Sequence, residues 1–324
     1  MPKVFITRRI SPQAVALLKQ HAEVAAWQEA KAMSRQELFR RIADADGLLV
    51  WQDKVDSEFL NHAPKVKVIA QRAIGFDLID AKECARRGIR VSNAPSGVDD
   101  STADFAMALL LASARQLVEA VNLTAKGGWE NWDVMGNPFL GLDAYEKTLG
   151  IVGLGRIGSK VARRARGFDM KILYYVIVRN PREKELGAQY VPDLHKMLGM
   201  ADFVSIHVPL NDKTRHLIGA RELAAMKPTA ILINTARGGL VDPKALYEAL
   251  KSKRIHAAAI DVTEVEPIAP NDPLLTLDNI TIAPHIAGGS VTSRLKMDML
   301  AAENVIAALE GKPMPSCVNC HLIK

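Results

Sequence analysis

Short apolar runs separated by amphipathic stretches of helical period recur along most of the chain. Before residue 98 the runs are "KVFIT", "EVAAW", "GLLVW", "VKVIAQ" and "IRVSN". They read as strands buried on both faces, because such strands lose the polar alternation of half-exposed ones. Between them, Ser11 is placed to cap a helix with Pro12 at its first position, and Ser34 and Glu37 form a capping-box pair. Further helical segments are expected around residues 57–63 and 80–87. A long helix, "STADFAMALLLASARQLVEAV", opens at Ser101, and its apolar density suits either a domain junction or an ordinary core. From Thr148 a second alternation begins, with "TLGIV", "KILYYVIV", "DFVSIHV", "TAILINT", "AAAIDV" and "NITIAP" as strands. Asp242 and Pro243 open one of its helices, and a last amphipathic helix covers roughly residues 292–310. This rhythm predicts an α/β protein whose parallel sheets carry helices on both faces.

Length and composition narrow the picture. At 324 residues the chain exceeds one ordinary core, so two domains are expected. The net charge of +6 comes from basic pairs such as Arg40–Arg41 and Arg163–Arg164 scattered among acids. Without aromatic interleaving they predict no nucleic-acid partner, while a mild positive field suits anionic substrates and cofactors. No apolar run reaches membrane-spanning length, and "MPKVFITRRI" carries no export pattern. Cys84, Cys317 and Cys320 are too few for a disulfide framework, which predicts a reducing, cytoplasmic setting. "CVNCH" at residues 317–321 matches a haem-attachment pattern. Neither export nor an axial partner is indicated, so Cys317 and Cys320 read as incidental and no metal site is expected.

The strongest single motif is "GLGRIG", Gly153-Leu154-Gly155-Arg156-Ile157-Gly158, after an apolar strand and before a helical pattern. Gly153 permits the tight turn, Gly155 lets a pyrophosphate approach the backbone, and Gly158 packs helix on strand. A dinucleotide-binding strand about 20 residues on commonly ends in an acid that holds the ribose hydroxyls. Here it ends in Val176, Ile177 and Val178, and the first charge is Arg179. Arg237, Glu266 and His285 stand after three further strands, on the side where ligands of open α/β sheets gather. From the residues alone, one shared site and three separate structural roles both remain open.

"GLGRIG", "HVPL", "ILINTARGGLVD", "AAAIDVTEVEP" and "PHIAGGS" together resemble the successive motifs of the D-isomer-specific 2-hydroxyacid dehydrogenases. The resemblance extends from "AIGFDLID" to "PSCVN" and is greatest to the glyoxylate/hydroxypyruvate reductase branch. It implies a Rossmann-like dinucleotide domain over residues 99–286. A discontinuous flavodoxin-like substrate domain would cover 1–98 and 287–324, with the active site between the two. It also implies a homodimer reducing a small anionic 2-keto acid to the D-hydroxy acid with NADP(H) or NAD(H). In that reading His285 is the general acid, Glu266 supports its charged form, and Arg237 binds the carboxylate and polarises the carbonyl. Ile74 and Gly75 offer backbone N–H groups to the carboxylate. Asp261, Thr235, Ala236, His207, Pro209 and Thr102 complete the cofactor cleft.

Several positions depart from the family pattern. Trp51 replaces a smaller residue near the substrate and either lines the pocket or packs in the core. Arg72 reads as either a second anion contact or a surface residue, and the surface is favoured. Asn137–Pro138 replaces a Trp that reaches the partner's site in this branch. Val176 removes the acid that favours NAD, and Arg179 is placed for a 2′-phosphate, so NADP(H) is favoured. Relatives acting on 2-ketogluconate, D-lactate, 3-phosphoglycerate or phosphite share every motif, and a cofactor-sensing co-repressor is the alternative of another class.

Overall fold

A computed structural model describes residues 1–29, 31–95, 97–129 and 139–323. The chain forms two compact units, Met1–Val98 with Gly289–Lys324, and Asp99–Gly288. No single helix among the described residues is long and apolar enough to cross a membrane.

In the first unit, strands β1 (Lys3–Ile6), β2 (Glu23–Ala26), β3 (Gly47–Val50), β4 (Val68–Gln71) and β5 (Arg90–Ser92) alternate with helices. These are α1 (Pro12–Lys19), α2 (Arg35–Ile42), α3 (Ser57–Asn61) and α4 (Ala81–Arg86). All neighbouring strands run parallel in the order β2-β1-β3-β4-β5. Leu48, Val50, Ile69 and Val91 face one core, while Val4, Ile6, Leu49 and Val68 face the other beside Ala301, Val305 and Ala308. Both faces are covered, which accounts for the unbroken apolar runs. Two expected caps are partial. Ser34 accepts from Glu37 N–H at 3.2 Å, but the Glu37 carboxylate turns to Arg40 and Arg41, each at 2.7 Å. Ser11 stands before α1 without a side-chain cap, and its N–H donates to Asp298 at 2.7 Å.

The second unit opens with α5 (Asp99–Ala114) and α6 (Leu117–Ala125). The expected single helix is therefore two, bent by 66° at Gln116, which takes a left-handed φ of 47°. It also begins earlier than Ser101, with Asp99 and Asp100 in its first turn. Ala103, Ala106, Met107 and Leu110 of α5 pack in this unit's core against Leu149, Ile151, Ile231 and Ile233. The seven-stranded parallel sheet then contains β6 (Thr148–Val152), β7 (Lys171–Tyr175), β8 (Ala188–Tyr190) and β9 (Phe203–Ile206). It is completed by β10 (Ile231–Asn234), β11 (Ala257–Ile260) and β12 (Ile280–Ile282). Helices α7 (Arg156–Ala165), α8 (Leu194–Met200), α9 (Ala220–Ala225) and α10 (Pro243–Lys251) connect them, and α11 (Val291–Leu309) returns to the first unit.

The strand order β12-β11-β10-β9-β6-β7-β8 reverses at β6, which lies between β9 and β7. Ligands of such sheets bind beyond the carboxyl ends of the strands at that reversal. One expectation fails here, and one element was missed. Strand β7 stops at Tyr175, whose carbonyl accepts Gly153 N–H at 2.9 Å, so Val176, Ile177 and Val178 lie beyond it. Edge strand β8 was not legible in the sequence.

The cysteines need correction as well. Cys317 and Cys320 form a disulfide, because the turn between them brings their Cα atoms to 5.7 Å. Asn319 anchors that turn: its buried amide donates to Ala81 and Ile89 carbonyls at 3.1 and 3.0 Å and accepts Val91 N–H at 2.8 Å.

Candidate active site

Strands β10, β11 and β12 lie side by side and parallel, with Asn234 opposite Ile260 and Ile260 opposite Ile282. The segments leaving their carboxyl ends carry Arg237, Asp261 and His285, so all three emerge at one edge of the sheet. Buried Asn234 shapes the first segment: its Oδ1 accepts Ala236 N–H at 3.0 Å and its Nδ2 donates to the Arg237 carbonyl at 2.9 Å. Arg237 Nη1 donates to the Ala236 carbonyl at 2.8 Å. Asn234 was missed by the sequence reading, where it looked like one more residue of "ILINT".

His285 Nδ1 lies 2.6 Å from Glu266 Oε2. Glu266 Oε1 accepts Thr263 N–H at 3.2 Å, which fixes the carboxylate at both oxygens. Burial alone would raise the Glu266 carboxyl pKa. The hydrogen bond and charge of His285 prevail, helped by Thr263 N–H and the charge of Arg237, and hold it below its ordinary value. Glu266 is therefore an anion at neutral pH. The structure thus brings Glu266 and His285 into contact, with Arg237 close enough to contribute electrostatically.

Asp261 holds the histidine loop. Its buried carboxylate accepts Ile286 N–H at 2.8 Å and Ala287 N–H at 2.7 Å, and its carbonyl accepts His285 N–H at 2.9 Å. His285 has a φ of 55°, so these bonds keep it in a conformation that few side chains adopt freely. Burial raises the Asp261 carboxyl pKa, and the two N–H donors oppose that rise. Sequence reasoning assigned Asp261 to the cofactor cleft and did not foresee this bracing of the histidine loop.

The glycine turn fits a dinucleotide. Gly153 has a φ of 102°, and a Cβ there would sit 2.7 Å from the His207 backbone. A Cβ at Gly158 would meet the Gly153 carbonyl oxygen at 2.1 Å. Both glycines are thus required by the protein's own packing. At Gly155 an added Cβ meets nothing within 4 Å, so the small residue keeps open a space that the protein does not fill. Thr235 supplies a second sign, since its hydroxyl is buried without a hydrogen-bond partner. A pyrophosphate over the α7 N-terminus, and a polar cofactor group at Thr235, fit these two features.

His207 sits just beyond β9, its ring nitrogen 2.8 Å from the Ser205 hydroxyl. Part of its surface is accessible, yet dense surroundings lower its pKa to about 4, so it is a neutral imidazole. Pro209 follows two residues later, its carbonyl accepting the Thr214 hydroxyl at 2.7 Å. Thr102 is buried in α5. Arg156 leaves the turn to pair with Asp99 at 2.7 Å, and the Leu154 carbonyl accepts Asn180 Nδ2 at 2.6 Å. Ile157 packs at the edge of the unit's core. Val176 is half-buried, with its carbonyl accepting the Tyr190 hydroxyl at 3.3 Å. Arg179 is exposed, ion-paired with Glu183, and stacked 5.0 Å from the Tyr190 ring centre.

The first unit carries its own sequence-predicted residues. The Ile74 carbonyl accepts Asn93 Nδ2 at 2.7 Å and the Gly75 carbonyl accepts Gln71 Nε2 at 3.1 Å, so both peptide planes beyond β4 are fixed. Trp51 leaves the end of β3 and is half-buried. Arg72 is not at the surface as expected. It is buried 2.7 Å from Asp298, a carboxylate too distant in sequence for local pattern to reveal. Asn137–Pro138 lies outside the described residues.

Residues 107–287 match the model of the D-isomer specific 2-hydroxyacid dehydrogenase NAD-binding domain. A glyoxylate reductase of Korarchaeum cryptofilum is 48% identical over 326 residues, spanning 100% of this chain and 97% of its own. An NADPH-dependent glyoxylate/hydroxypyruvate reductase from Sinorhizobium meliloti, solved with NADP and malonate, superposes with a TM-score of 0.83 at 30% identity. That match covers 98% of this chain and 96% of the other. D-lactate dehydrogenase from Aquifex aeolicus, solved with NAD and lactic acid, gives a TM-score of 0.83 at 28% identity, covering 98% and 99%.

Proposed function

The chain belongs to the D-isomer-specific 2-hydroxyacid dehydrogenases, NAD(P)-dependent oxidoreductases, and from that premise we propose that it reduces glyoxylate or hydroxypyruvate to the corresponding 2-hydroxy acid. The observation that carries this is the Glu266–His285 contact of 2.6 Å beside Arg237, at the carboxyl edge of three adjacent strands. A reduced nicotinamide dinucleotide supplies the hydride when bound. Gly153 to Gly158 would hold its pyrophosphate, and Thr235, Ala236, His207, Pro209, Asp261 and Thr102 would line its remaining length. The Arg237 guanidinium binds the substrate carboxylate and draws electron density from the carbonyl oxygen. Ile74 and Gly75 N–H groups offer further donors to the carboxylate. His285 Nε2 gives its proton to that oxygen as the neighbouring carbon is reduced, and Glu266 stabilises the imidazolium before transfer. Steady-state assay of 2-keto acids with both nicotinamide cofactors tests the reading. Glyoxylate or hydroxypyruvate should give the highest kcat/KM among two- and three-carbon acids, and no turnover of either would refute it.

The cofactor preference is a finer part of the same reading. Val176 has no carboxylate to accept from the ribose diol or to repel a 2′-phosphate, and Arg179 lies just beyond. Its pairing with Glu183 is exposed and screened by solvent, so a phosphate can replace that partner. NADPH should be preferred over NADH by about tenfold or more in kcat/KM, or ~1.4 kcal/mol. Arg179→Ala should erase most of that ratio, and Val176→Asp should turn it towards NADH. A wild type that prefers NADH, with no change in Arg179→Ala, would defeat the assignment.

The same reading includes a homodimer, supported by α6, none of whose side chains is fully buried among the described residues and which exposes Leu117, Val118, Val121 and Leu123. An apolar face of this kind suits a self-complementary contact. Sedimentation at micromolar concentration should report a dimer, and Val121→Glu should shift it towards monomer. Monomer alone in the wild type would exclude it.

A further inference from the structure

Trp51 is held from several sides at the carboxyl edge of the first unit's sheet. Its N–H donates to Asp53 at 3.2 Å, across Gln52 with its left-handed φ of 59°. Buried Asp53 is in turn bound by the Thr7 hydroxyl and lies 3.7 Å from Arg8. Two guanidinium groups flank the indole: Arg72 lies 5.6 Å and Arg294 5.2 Å from its ring centre. They differ in what neutralises them. Arg72 lies 2.7 Å from Asp298 and donates to the Arg9 carbonyl at 2.8 Å. The Arg294 guanidinium, one turn before Asp298 on α11, makes no ion pair or hydrogen bond among the described residues.

One carboxylate thus serves two buried or half-buried cations. Burial first, then the like charge of Arg72, lower the Arg294 pKa, and Asp298 offsets them only in part. A guanidinium is still charged under those conditions, and desolvating it without an anion is unfavourable unless a ligand supplies one. The surroundings indicate which ligand. Arg72 N–H donates to the Val50 carbonyl at 3.1 Å, so Trp51 and Arg72 leave neighbouring strands side by side. Ile74, two residues after Arg72, packs with Met297 and Leu300 of α11. Trp51, Arg294 and the Ile74–Gly75 peptides therefore belong to one corner of the first unit.

We propose that Trp51 and Arg294 form a receptor for a second anionic group, at the end of the substrate remote from the keto acid. This rests on the keto-acid reductase reading above and widens it to 2-keto acids bearing a distal carboxylate or phosphate. Arg294 pairs with the distal group, and the indole keeps water from the pair and limits the substrate's length.

The test compares kcat/KM for ketosuccinate and 3-phosphohydroxypyruvate with that for 2-ketobutyrate, which matches ketosuccinate in chain length and lacks its distal charge. At least one charged substrate should lead by about tenfold or more, as a charge-assisted contact of ~1.4 kcal/mol requires. Whichever leads identifies the group as carboxylate or phosphate. Arg294→Gln should bring the leading ratio to within about threefold of unity, and Arg294→Lys should retain an intermediate value, because an ammonium keeps the charge without the fork. A ratio near one in the wild type, or one unchanged in Arg294→Gln, overturns the receptor. The wild-type comparison decides even if the variant does not fold. Glyoxylate turnover is read in parallel: its absence removes the underlying activity, whereas glyoxylate turnover with equal ratios removes the receptor alone.

Discussion

His285→Ala should lower kcat for keto-acid reduction by at least ~10²-fold while cofactor affinity stays within a few-fold. The size of the loss follows from what the variant keeps. The loop is bound to Asp261 through the N–H groups of residues 285, 286 and 287, none of which needs the imidazole. Alanine bears the left-handed φ of 55° at a cost of about 1 kcal/mol, near that already borne by histidine, so the fold should hold. In the proposed mechanism Arg237 remains to bind the carboxylate and polarise the carbonyl. What disappears is the proton donor, leaving water to protonate a developing alkoxide inside the site. The deficit should therefore fall on kcat more than on KM. Single-turnover reduction, with cofactor binding followed separately by fluorescence, separates the two. Near-normal turnover would remove His285 from the mechanism.

Much of this arrangement was legible because it depends on short-range pattern. Runs such as "ILI" and "AAAI" are apolar throughout, since both faces of a parallel strand are covered, and the segments after them carry Arg237 and Asp261. What failed depends on geometry or distance. The apolar continuation "VIV" suggested a longer β7, but the chain turns once Tyr175 has bonded Gly153. Ile177 and Val178 are left exposed there, an arrangement that hydrophobicity alone argues against. Strand β8 is three residues at a sheet edge, "AQY", too short and too polar to give a period. The break at Gln116 is a left-handed backbone choice with no glycine to announce it. Arg72 looked like a surface residue because its partner Asp298 comes from the last helix. Similarly, Asn234 and Asp261 brace the catalytic segments through side-chain-to-backbone bonds that no residue pattern encodes.

Such bracing makes a single methyl group beside Arg237 the other change of large expected effect. Gly238→Ala should reduce kcat/KM by at least ~10²-fold, because small displacements of reacting groups are costly. Strain in the backbone is not the cause, since Gly238 is absent from the positive-φ glycines. Space is the cause. A Cβ there would lie 1.9 Å from the Thr263 carbonyl carbon, 2.1 Å from its oxygen and 2.3 Å from Glu264 nitrogen. All three are backbone atoms, so no rotamer relieves the clash. One of two segments must move. If residues 235–238 retreat, the Asn234 bond to the Arg237 carbonyl is strained and the guanidinium leaves its place. If residues 263–264 retreat, Thr263 N–H withdraws from Glu266, and the carboxylate loses its register on His285. Either way the arrangement of Arg237, Glu266 and His285 is disrupted, with overpacking expected to cost ~1–3 kcal/mol of stability. Gly155→Ala provides the contrast, since its Cβ meets no protein atom within 4 Å. That variant should melt like wild type yet bind the dinucleotide more weakly. Equal activity in Gly238→Ala and wild type would mean that the 263–266 turn moves freely, and that the Glu266–His285 contact is not rigidly set by it.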